Sequence, residues 1–227
     1  MLAEAITGRS IRGSWMADPE VYRVYEFFKK VYKHQDVVAL PLILGKETLV
    51  HGSLGPAVQR VASDPDRRNE ARAGLPPLAR RLLDEVEASG EVRMDRWTAS
   101  TVQGRNARLR LERDLLVMSR DLHTERGYHT AIVMPWSQSK IAARYRVEGQ
   151  RLRFPDAVDQ VIVAGVRSAV TAPEREIRRW FVFGRERIDE LLRSGGLVQF
   201  KSGNAAWITL RKAAPVRISL RRAGRGR

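Results

Sequence analysis

The sequence predicts an α+β chain, mostly helical with short β-hairpins, and two observations carry that reading. Apolar residues recur at spacings of three and four over several stretches, and these alternate with short extended runs wrapped around glycine-containing turns. The order of helices followed by a two-stranded hairpin then occurs twice along the chain. With 227 residues and 43% hydrophobic side chains, the chain can build one large core or two small ones.

The first elements form a small N-terminal α/β module over residues 1–65. Asp18-Pro19 marks a helix start, and Val21, Val24, Tyr25, Phe28, Val31 and Tyr32 follow on one face as an aromatic core stripe. The runs Val37 to Leu44 and Thr48 to His51 flank Gly45-Lys46 as a hairpin whose first strand, apolar on both faces, reads as buried. Leu54 to Ala62 is a short helix. Ser63 to Gly74, rich in Asp, Arg, Asn and Pro with few apolar anchors, reads as a linker.

Two similar units follow. In the first, residues 74–136, Leu75, Leu78, Leu82 and Val86 mark a helix ending near Gly90. A short helix is expected within Met94 to Val102 and a third over Asn106 to Leu116. Val117 to His123 and Tyr128 to Met134 then flank Thr124-Glu125-Arg126-Gly127 as a hairpin. In the second, residues 155–210, Asp156 to Val170 is helical and Thr171-Ala172-Pro173-Glu174 has capping-box spacing ahead of a helix holding Ile177, Trp180 and Phe181. Arg185 to Arg193 is a third helix, ended by Gly195-Gly196, and Leu197 to Phe200 with Ala205 to Leu210 form a hairpin. Three helices followed by a hairpin is the winged-helix order, in which the third helix enters the major groove of DNA and the hairpin touches its backbone. Residues 211–227 hold seven basic side chains and no acid, a basic C-terminal tail.

Charge is distributed unevenly. Residues 1–104 carry 15 basic and 14 acidic side chains, whereas residues 105–227 carry 26 and 12, so nearly all of the net charge of +15 lies in the second part. Such a field favours polyanions through counterion release, and double-stranded DNA is the first partner it implies. The near-neutral residues 1–65 point instead to a protein partner or to self-association. No run is apolar enough for a membrane span or a signal peptide, so a cytoplasmic, nucleoid-associated location is expected.

The expected nucleic-acid contacts follow from position. Arg105, Arg108 and Arg110 sit at the start of the third helix of the first unit, where a fork of donors can read guanine or bind phosphate. Arg126 and His129 lie on its hairpin. Arg178, Arg185 and Arg187 ring the helix corner of the second unit, Lys201 lies on the second hairpin, and Arg221 and Arg222 belong to the tail. Trp136, just after the first hairpin, is a candidate for stacking on a base.

Little in the sequence supports chemistry. Without cysteine there is no thiol nucleophile, and the phosphate-loop, dinucleotide-glycine, Gly-x-Ser-x-Gly and His-Glu-x-x-His patterns are missing. His123, Glu125 and His129 could approach one another, but the intervening turn breaks their parity, so no metal is expected and no cofactor is implied. Asp84, Glu85 and Glu87 read as the acidic face of a helix rather than as general acid and base.

The segment Ile11-Arg12-Gly13-Ser14-Trp15, with Asp18-Pro19 and Leu44 to His51, resembles a group of uncharacterised bacterial proteins. The helix–helix–hairpin pattern through His123 to His129 and Trp136 resembles winged-helix proteins related to the AlkZ (YcaQ) DNA glycosylases, over residues 75–210. That resemblance implies tandem winged helices on duplex DNA and a tie to DNA repair. The glycosylases' Gln-x-Gln pattern is absent, so no catalytic residue transfers and the chain reads as a DNA-binding protein, regulatory or repair-associated, rather than an enzyme. A lesion-processing glycosylase and an RNA-binding or ribosome-associated module are the alternatives.

Overall fold

The computed structural model describes residues 8–9, 20–43, 46–97, 101–123 and 129–211, where helices alternate with three antiparallel sheets in an α+β arrangement. Helix α1 (Val21–Tyr32) lies against strand β1 (Val37–Ile43), which pairs with β2 (Lys46–His51) from Val37 opposite His51 to Ile43 opposite Lys46. The register slips between Leu40 and Ile43, around Pro41, which has no N–H for the ladder. Two expectations change here. Leu40 and Leu42 are the buried residues of β1, so the strand is one-faced. Helix α1 buries only Val21 and Val24 and leaves Tyr25 and Tyr32 of its aromatic stripe exposed, because a two-stranded hairpin offers a narrow face to pack on. The helix start at Asp18-Pro19 and the turn at Leu44-Gly45 lie outside the described residues.

Helix α2 (Gly55–Ser63) is followed at once by α3 (Pro65–Ala73), so the stretch read as a linker is helical. Asp64 caps α3 by accepting the Arg67 N–H at 3.1 Å, and Pro65 occupies the first turn, where its missing N–H costs nothing. Arginines anchor this helix instead of apolar side chains. Arg72 of α3 ion-pairs with Asp84 and, at 2.6 Å, with Glu87, and both acids lie on α4 (Pro77–Ser89).

The first repeat comprises α4, β3 (Val92–Arg93), α5 (Thr101–Arg113), β4 (Val117–His123) and β5 (His129–Pro135). Leu82, Leu83, Val86, Leu111, Leu116 and Val133 fill its core. Helix α6 (Lys140–Gln150), capped by Ser139, leads to the second repeat. That repeat comprises α7 (Phe154–Ala169), β6 (Thr171–Pro173), α8 (Glu174–Trp180), α9 (Arg185–Arg193), β7 (Leu197–Ser202) and β8 (Ala205–Leu210). The two sheets have the same topology, β3-β5-β4 and β6-β8-β7, with the short strand beside the second strand of the hairpin. Strands of two and three residues are too short to show alternation, which hid β3 and β6 in the sequence. Thr171 is accordingly a strand residue and no side chain caps α8. Met94 to Arg96 form a turn rather than a helix, and residues 98–100 lie outside the described residues.

The first repeat thus has two helices among the described residues where three are expected, and the helices that precede the two hairpins end alike. Leu115 and Gly195, each two residues past the helix end, adopt positive φ of 50° and 76°. Glycine takes this conformation freely, whereas in another residue it costs about 1 kcal/mol. At Leu115 the side chain is fully buried and offsets the cost. Leu115 enters the core shared by the β1–β2 hairpin, α2, α6 and the second repeat, while Leu116 enters the core of the first.

Close approach of α2 and α6 depends on Gly55, where a Cβ would lie 2.3 Å from the Tyr145 ring. The tie between the two cores is Arg67. Its side chain is buried, and it donates to the Asp114 carbonyl at 2.6 Å and the Ala62 carbonyl at 3.2 Å. Burial lowers its pKa to about 10, which leaves it charged at neutral pH. Arg67→Ala is expected to lower the unfolding free energy by about 2–4 kcal/mol in a denaturant titration. Arg68→Ala, which loses a longer ion pair to Glu87, should cost well under half of that, and equal losses would contradict this role for Arg67.

Candidate nucleic-acid interface

Helix α5 has two distinct sides. Gly104, Ala107 and Leu111 face inward at spacings of three and four, and Gly104 rests on Trp97 and Met94. Val102, Gln103, Arg105 and Asn106 are therefore turned outward on its first turns, and all four are exposed. Arg105 has no hydrogen bond or ion pair among the described residues. Arginine can read guanine and the amides of Gln and Asn can read adenine, so these are side chains suited to base edges. A search guided by positive charge passes over Gln103 and Asn106. Their signal is two amide side chains three apart, on the side opposite the small and apolar residues.

The remaining expected contacts divide by their partners. Arg108 pairs with Glu112 at 3.2 Å, and Arg110 pairs with Asp114 at 2.7 Å while reaching the Gly74 carbonyl. Arg178 bridges Glu174 at 2.8 Å and Asp189 at 2.5 Å, and the Arg178 guanidinium holds the Asp189 carboxyl below its ordinary range. Arg187 grips Asp159 through two hydrogen bonds of 2.9 and 2.5 Å and also pairs with Glu190. Arg108 is thus engaged within α5, while Arg110, Arg178 and Arg187 tie their helices to neighbouring elements. Arg185, at the start of α9, and Lys201, on β7, are exposed and without such partners among the described residues. His129 opens β5 opposite His123 and is exposed. Arg126, Arg221 and Arg222 lie outside the described residues.

Helix α6, between the repeats, adds cations that sequence reading passed over. Lys140, Arg146 and Arg151 at its outer side and end are exposed and unpaired among the described residues. Arg144 instead donates to the Gln35 carbonyl at 2.6 Å. Apolar residues are sparse on α6, so the sequence shows no clear stripe there, although tertiary packing of Ile141, Ala142 and Tyr145 holds it.

Trp136 is not available to stack on a base. It is 1% exposed, and its indole N–H donates to Gln59 Oε1 at 2.8 Å. No group of three potential metal ligands occurs among the described residues, and Glu125 lies outside them. Of the acids on α4, Asp84 and Glu87 are paired with α3 and Glu85 accepts the Trp97 indole N–H at 2.8 Å.

Glu112 is buried at 4% exposure, and desolvation raises its pKa against the opposing charge of Arg108. Its carboxyl titrates near 4.5 when unfolded, so just above that pH the native state binds more protons and stability falls as pH rises. Glu112→Gln should flatten that part of the stability profile in pH-dependent thermal melts, and an unchanged slope would contradict the burial argument.

No protein-family model and no curated protein matches the chain. Among solved structures, the Streptomyces sahachiroi DNA glycosylase AlkZ aligns with a TM-score of 0.38 and 13% identity, over 87% of this chain and 57% of that one. The chain therefore spans little more than half the length of that structure.

Proposed function

We propose that the chain binds double-stranded DNA through two winged-helix units, residues 74–136 and 155–210, with α5 and α9 as the helices presented to the duplex. The observation that carries this reading is the outward side of α5, where Gln103, Arg105 and Asn106 stand exposed on the first turns of the helix that precedes a hairpin. The recurrence of helix, short strand and hairpin supports it, with one described helix between short strand and hairpin in the first unit and two in the second, because a hairpin beside such a helix is placed to touch the backbone. Arg185 and Lys201 supply the corresponding exposed cations of the second unit. Lys140, Arg146 and Arg151 extend the basic surface between the units, and the tail of residues 211–227 adds sequence-independent affinity.

DNA is common to this reading and to the glycosylase alternative. Base removal needs a polar group free to orient water or the substrate. The Gln-x-Gln pattern that would supply one in the glycosylases is absent from the sequence, and binding is the activity we assign. The basic surface and the amides on α5 also favour duplex DNA over RNA, whose deep major groove excludes a helix.

The test is equilibrium binding of the intact chain to matched duplex DNA, single-stranded DNA and duplex RNA across a salt series, with alkylated duplex assayed alongside for base release. Duplex DNA should bind most tightly. The double substitution Arg105→Ala with Asn106→Ala is expected to weaken it about tenfold or more, and Lys201→Ala should lower the salt slope by about one. Binding that prefers RNA or single strands, or that ignores the α5 substitutions, would overturn the proposal, and released base would move the assignment to the glycosylase reading.

A further inference from the structure

Helix α7 has a second side that the DNA-binding reading does not use. Val158 and Ile162 face Gly184 at the start of α9, where an added Cβ would come within 2.9 Å of each. On another side, Gln160, Ala164 and Arg167 border a trench of about 540 Å³ between α7 and the β1–β2 hairpin. Its walls are largely apolar, with Leu42, Val50 and Leu54 from the hairpin side and Val161 and Phe181 from the second repeat. Among the described residues, Arg167 is the one Lys or Arg on the lining, and no Asp or Glu lines it. The Arg167 side chain is exposed and has no hydrogen bond or ion pair among the described residues. His51, at the rim, is occupied by Ser53, whose N–H and hydroxyl lie 3.2 and 2.8 Å from its Nδ1.

An apolar trench with one uncompensated cation at its edge is complementary to a ligand with an apolar body and a single negative end. We propose that this trench binds an apolar monocarboxylate, its hydrocarbon or aryl body against the partly exposed Leu54, Val163 and Ala164 and its carboxylate on Arg167. A dianion would leave one charge unpaired against apolar walls, and a cation would meet Arg167 with the wrong sign. The site rests on no part of the DNA-binding proposal, because none of the residues assigned to DNA lines it.

Isothermal titration of the intact chain with decanoate and with 2-naphthoate tests the proposal, with 2-naphthamide as the neutral comparator. At least one carboxylate should bind saturably at one site, about tenfold or more tighter than the amide. Arg167→Ala should remove that advantage, and Ala164→Phe, which fills the trench, should abolish binding. Circular dichroism establishes that each variant is folded. Should Ala164→Phe fail to fold, the exposed Arg167→Ala still decides the matter. The proposal is overturned if neither carboxylate binds in the millimolar range, if the amide binds equally well, or if Arg167→Ala binds as the unsubstituted chain does.

Discussion

Two helix C-termini converge on one buried guanidinium, and the join between the two cores depends on it. The carbonyls of Ala62, near the end of α2, and of Asp114, just past α5, both accept hydrogen bonds from Arg67. Unpaired carbonyls at a helix end carry partial negative charge, so a cation between two such ends recovers part of what its desolvation costs. Asp64 sets the geometry by capping α3, which carries Arg67, and is itself paired with Arg60 at 2.9 Å. A lysine could supply the charge there but not the fork that spans both carbonyls. The Trp136 indole on Gln59 makes a second polar tie to α2, so the first repeat is joined to that helix through Arg67 past α5 and directly at its end.

Around this join the two repeats solve the same problem with different side chains. Both turn from helix into hairpin through a residue of positive φ. The second repeat uses Gly195 there, and the first uses Leu115, whose burial outweighs the backbone cost. Their charges differ in the same spirit. The second repeat commits Arg178 and Arg187 to Asp189 and Asp159, bonds that hold α8 to α9 and α9 to α7. The first repeat pairs Arg108 and Arg110 late in α5 and leaves Arg105, Gln103 and Asn106 pointing outward from its start. Formal charge alone therefore overstates how many arginines can meet a polyanion.

Periodicity in the sequence placed α9, β4 and β8 at their observed bounds, because each combines a clear apolar spacing with a turn or terminus signal. It missed β3 and β6 for want of length, and α3 because that helix is held by Asp64, Arg67 and Arg72 rather than by apolar anchors. The aromatic stripe of α1 misled in the opposite direction, since spacing reports which residues share a face and not whether anything covers it. At the candidate interface, the availability of each side chain was not legible. Whether an arginine is free depends on carboxylates as far along the chain as Asp159 is from Arg187, and no local pattern encodes that pairing. Gln103 and Asn106 emerged only when the buried side of α5 was known.

Hydroxyl-radical footprinting of the intact chain on duplex DNA tests the central claim most directly, because it reads where the backbone is covered rather than how tightly. Two helices of repeated design presented to one duplex should give two separate protected patches, one assigned to each unit. Loss of protection in one patch alone on substituting Arg105 and Asn106 would identify it as the contact of α5. A single patch that persists unchanged in that variant and disappears when residues 211–227 are removed would contradict the account, since all recognition would then reside in the tail.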